Sequence, residues 1–75
     1  MLGRHRVQQT RLQRRIGKIQ TADLPNWADA QVFSVEKALG LYRRSRRLEA
    51  LTEALEAAEA LYALVRELDR RQRMQ

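Results

Sequence analysis

The sequence predicts an all-α protein: a basic N-terminal helix, a short connector helix and a long C-terminal amphipathic helix that assembles into an oligomeric helical bundle, with an antiparallel dimer as the expected form. Three observations predict it. Apolar residues recur at helical spacing along most of the chain. Ala, Leu, Glu and Arg, all strong helix formers, dominate from Val35 to the tail. The apolar arc of the C-terminal half is also wider than a 75-residue chain can hide by itself.

The first segment, 1–20, is a basic amphipathic helix or arm. Leu12, Ile16 and Ile19 share a face at i, i+4, i+7 spacing, extended by Leu2 and His5. Arg4, Arg11, Arg14, Arg15 and Lys18 fall on a different arc. Gly17, Val7 and Thr10 weaken the helix, so the segment is expected to order on binding. Its Arg-rich, acid-free composition superficially resembles a presequence. It is kept as part of the working protein, because the remainder would be short of a core.

Residues 21–34 read as a connector with a short helical turn. Pro25 pushes Leu24 out of helical geometry. Asn26 is placed to cap a turn over about Trp27 to Val32. Leu24, Trp27, Val32 and Phe33 are expected to pack as an apolar plug. Ser34 then serves as N-cap of the long helix, 35–73, with Glu36 in its first turn.

The apolar face of that helix changes sides. From Leu48 onward one seam is Leu48, Leu51, Leu55, Ala58, Tyr62 and Val65, at heptad-like spacing. A second seam is Ala50, Ala54, Ala57, Leu61, Leu64 and Leu68. Together they span about 200° of arc, against roughly 100° for a helix lying on one core. These residues are the expected oligomer or partner interface. Before residue 44 the apolar side chains Val35, Ala38, Leu39, Leu41 and Tyr42 lie nearly opposite. Either the helix breaks near 44–46, or it runs straight and packs on different neighbours in its two halves. The absence of Gly or Pro between Arg43 and Leu48 favours the straight form. A parallel dimer would set Arg43, Arg44, Arg46 and Arg47 against their copies, so the antiparallel pair is preferred.

Charge is laid out in blocks. The net charge is +6, and 13 of the 15 basic residues are Arg. Basic stretches at 1–20, 43–47 and 70–73 alternate with acidic stretches at 21–42 and 48–69. The basic blocks face either a polyanion or the acidic blocks of the same chain or a sister subunit.

Catalytic chemistry finds no support. His5 is the only histidine and has no acidic neighbour; there is no Cys, no Gly-rich phosphate loop and no nucleophile elbow. Glu49, Glu53, Glu56 and Glu59 lack the His at i+3 that helical carboxylate metal sites use, and read as a solvated or ion-paired face. No cofactor or metal is implied. Ala28 to Arg44 traces only a loose helix-turn-helix outline, without the usual turn glycine. The longest apolar run, Ala60–Val65, is far below membrane-spanning length. With no secretory signal and no cysteine, a cytoplasmic protein is expected.

The functional expectation is a non-enzymatic small oligomer that binds duplex nucleic acid mainly through phosphate contacts. Arg4, Arg11, Arg14, Arg15 and Lys18 form one group, and Arg43, Arg44, Arg46 and Arg47 the other. Stacking aromatics are absent from the N-terminal basic face, which argues against single-strand recognition. The competing expectation is a protein-interaction module, an adaptor, inhibitor or small assembly subunit, that docks another helical protein on its Ala/Leu face.

Overall fold

The computed structural model describes residues 11–74. Leu2, Arg4 and His5, and the first half of the expected N-terminal helix, lie outside the described residues. Among those described, all regular structure is helical and no strand occurs. Helix α1 covers residues 11–17. A 3-10 turn, Thr21–Asp23, leads directly into α2, Leu24–Ser45; α3 spans Leu48–Arg73.

Helix α2 corrects the connector reading. Pro25 stands in its first turn, where a missing N–H leaves no bond unmade. The helix then runs unbroken through Ser34. That serine does not cap anything: its hydroxyl donates back to the carbonyl of Ala30 at 3.1 Å, the bond a mid-helix serine makes. Leu24, Ala28, Gln31, Val35, Ala38 and Tyr42 recur at alternating four- and three-residue steps, and all are buried or half-buried. The expected plug does not form either. Leu24 is fully buried, but Trp27 is 52% and Phe33 66% exposed, because both lie off that face.

The long helix 35–73 is not continuous. Arg46 adopts a left-handed conformation, φ 60°, and its N–H donates to the Tyr42 carbonyl at 2.7 Å, closing α2. Arg47 is extended and opens α3. Two residues thus reverse the chain, and α2 and α3 form an antiparallel hairpin. The change of apolar side near residue 44 is what drives the break. Folding back at this point turns both apolar faces toward each other, which a straight helix would leave on opposite sides.

The hairpin interior is graded in size. Near the tip it is lined by Ala38, Ala50 and Ala54, all buried, which permits close approach of the two helices. At the open end Ile16, Leu24 and Leu64 form the core, with Leu12, Ile19, Ala28, Ala63 and Leu68 packed against them. Helix α1 therefore sits against the C-terminal half of α3.

Candidate nucleic-acid interface

Arg11, Arg14 and Arg15 on α1, and Lys18 just after it, are all exposed, because Ile16 and Leu12 turn the opposite face inward. Arg43 and Arg44 end α2, and Arg46 and Arg47 form the hairpin tip; all four are exposed. Arg4 lies outside the described residues. Among those described, none of these eight cations forms an ion pair. The pairs that occur are internal to α3: Glu67 with Arg70 and Arg71, and Asp69 with Arg73. The fold does not gather the two groups. The α1 group adjoins the Arg71 end of α3 and the tip stands at its start, about 36 Å away along the axis.

The tip is built against local preference. A left-handed residue after a helix is usually Gly, and a residue with a Cβ costs about 1–2 kcal/mol there. Arg47 occupies the N-cap of α3 with no side-chain cap bond, where Ser, Thr, Asp or Asn would bond a free N–H. Its charge also faces the positive helix end. Ser45 compensates in part: its hydroxyl donates to the Leu41 carbonyl at 2.9 Å and accepts from the Arg47 N–H at 3.3 Å. The Arg46 guanidinium lies 5.6 Å from the Tyr42 ring centroid, a cation–π contact.

At the other end Arg71 acts as a clasp. Its Nη1 donates to the Ile19 carbonyl at 2.8 Å and to the Thr21 hydroxyl at 2.9 Å. Its Nη2 reaches the carbonyls of Ile16 and Gly17 at 3.3 and 3.4 Å. The Ile16 and Gly17 carbonyls end α1, where the helix dipole favours a cation, and the Ile19 carbonyl and Thr21 hydroxyl belong to the turn that follows it. The Nε of Arg71 donates to Glu67 at 2.7 Å, which aims the guanidinium. Hydrogen bonds from Arg70 and from Arg71 hold the Glu67 carboxyl down at about 2.

The two predicted seams of α3 have separate fates. Ala50, Ala54, Ala57 and Leu64 are buried, with Leu61 and Leu68 half-buried, in contacts within the chain. The other seam stays outside: Leu48 is 71%, Leu55 59%, Tyr62 64% and Val65 50% exposed, with Leu51 and Ala58 half-buried between them. In an antiparallel hairpin Val32 and Leu39 of α2 flank this seam on the same side, and both are partly exposed. Helix α1 lies on the other side, against Ala63 and Arg71.

A shallow groove of about 800 Å³ runs along the outer side of α3 beneath Leu12 and Gln13. Its charged lining is mixed, Glu59, Glu67 and Asp69 against Arg66, Arg70 and Arg73, so it favours neither sign. Among the described residues no group of three His, Cys, Asp or Glu converges as a metal would require.

The chain matches no family model, no curated protein and no solved structure.

Sequence reasoning missed Arg71. The i, i+4 spacing from Glu67 signals an ion pair, but nothing local points to carbonyls some fifty residues away. It also took the second seam as intermolecular, since the hairpin that fills it depends on the break at Arg46.

Proposed function

We propose that this chain is a non-enzymatic helical protein that acts as a homo-oligomer and binds the phosphate backbone of duplex nucleic acid through two arginine-rich patches. The observation that carries the reading is the set of eight exposed cations without ion pairs among the described residues, two of them at positions where folding disfavours arginine. Acidic side chains lie on the same chain, yet they do not neutralise these cations, so a positive field remains for a polyanion. Arginine suits that partner, since its planar fork bonds two phosphate oxygens at once. With no stacking aromatics in either patch beyond Tyr42, backbone contact rather than base reading is the expected mode.

The test is a titration of generic duplex at rising salt. Affinity should fall linearly on a log–log plot, with a slope of roughly −0.9 for each phosphate contact. The double variant Arg14→Ala/Arg15→Ala should flatten that slope by about two contacts. Salt-independent binding, or none, rejects the reading.

The exposed seam of α3 favours a second reading, a docking surface for another helix.

A further inference from the structure

We propose that a second copy of this chain covers the outer seam of α3 in antiparallel orientation, and that the pairing joins an α1 patch and a tip patch into one anion-binding end. The second half of this proposal rests on the nucleic-acid reading; the first half does not.

The seam is suited to its own copy. Leu48, Leu51, Leu55, Ala58, Tyr62 and Val65 are separated by steps of three and four that read the same in both directions. A two-fold axis between Leu55 and Ala58 therefore pairs every member at once. Leu48 meets Val65 of the partner subunit, Leu51 meets the partner's Tyr62, and Leu55 meets the partner's Ala58. The contact is self-complementary, as a two-fold interface must be, and large side chains face smaller ones at its centre. Heptad-like spacing is what holds such a pair in register.

Surface area points the same way. The chain exposes 6565 Å², against about 4,800 Å² for a folded monomer of 8.8 kDa. Even with residues 1–10 given the full area of an unfolded chain, about 1,700 Å², the remaining residues expose about 4,900 Å², about 600 Å² more than the area of about 4,300 Å² expected of a folded chain of their mass. Val32 and Leu39, at 40% and 38% exposure, widen the apolar surface on the seam's side of the hairpin, and large exposed apolar patches mark interaction sites.

Orientation follows from charge. A parallel pair sets four arginines of one tip against four of the other. The antiparallel pair separates the tips and sets each against a stretch of mixed sign, the partner's Arg66, Arg70 and Arg73 interleaved with the partner's Glu67 and Asp69, so the repulsion is smaller than between two tips.

The pairing also changes the geometry of the anion site. In this register Arg47 stands level with the partner's Arg66. The α1 helix of that partner closes onto its own Arg71, about 8 Å further along the axis. Patches about 36 Å apart within one chain thus reach the same end of the dimer. They then lie across it, about two interhelical spacings or ~20 Å apart. Each end carries Arg11, Arg14, Arg15 and Lys18 from one copy, and the partner subunit's tip arginines.

The experiment combines three readouts on the full chain. The absence of cysteine allows clean single substitutions. Chains carrying Leu48→Cys and Val65→Cys, mixed and mildly oxidised, should form a disulfide-linked hetero-pair, and Leu48→Cys alone should not. Light scattering should report a dimer for the unaltered chain and a helical monomer for Leu55→Asp. Duplex affinity of Leu55→Asp should fall at least ten-fold, with the salt slope reduced by about half. A monomer at all concentrations, or efficient Leu48→Cys self-linking, overturns the antiparallel pair. Undiminished duplex binding by a Leu55→Asp monomer overturns the composite site. If the chain pairs and links as stated but ignores duplex, the nucleic-acid reading is what fails. The cross-linking arm remains decisive if Leu55→Asp does not fold.

Discussion

Glu67 accepts hydrogen bonds from Arg70 at 3.0 and 2.7 Å and from Arg71 at 2.7 Å, with its side chain only 15% exposed. These bonds favour the ionised carboxylate, so its pKa drops from 4.5 to about 2. A depressed carboxylate stabilises the fold above its unfolded pKa, and that contribution is lost as pH falls through the folded value. The acid limb of the stability curve should therefore steepen between about pH 4.5 and 2. Glu67→Gln should flatten that limb and lower stability at pH 7 by about 1–2 kcal/mol, read from urea melts. Parallel acid limbs for the two proteins would reject this role. The i, i+4 spacing of Glu67 and Arg71 is present in the sequence, but nothing local shows what the pair serves: the carbonyls belong to Ile16, Gly17 and Ile19.

At the scale of elements, the hairpin tip sets stability against charge. Arg47→Ser supplies the cap that α3 lacks and removes a cation from its positive end. Stability should rise by about 1 kcal/mol while duplex affinity falls. Circular-dichroism melts and the same salt titration check it; a gain in both properties would show that the arginine serves no anion. The tip also marks how far sequence reading reached. The change of apolar side near residue 44 was visible, and the break lies beside it at Arg46. Its form was hidden, since an arginine in left-handed conformation leaves no Gly or Pro to signal a turn. The packing face of α2 was obscured differently: Gln31 interrupts its apolar pattern, while the more conspicuous Trp27 and Phe33 lie off it. The amphipathic character of α1 was plain from Leu12, Ile16 and Ile19, all of which face the core cluster.

Taken whole, the molecule is flat, with principal extents of 45 × 31 × 17 Å. That thickness is under two helix diameters, so few side chains are enclosed from every direction and, among the described residues, Leu24 alone is fully buried. Stability in such a slab is uneven. Helices α2 and α3 share a long interface, whereas α1 rests on a short apolar contact and the Arg71 clasp. Helix α1 should accordingly open as a separate unit. In Arg71→Ala its amides should exchange with solvent about ten-fold faster or more, while those of α2 and α3 stay protected; each lost charged bond contributes about 1.5–3 kcal/mol. Uniform acceleration along the chain would contradict that division.

The clasp lies in the final turns of α3, and helix ends fray. The front of the polypeptide is thereby latched by its tail: any unwinding that reaches Arg71 loosens a helix more than fifty positions earlier, long before the hairpin itself gives way.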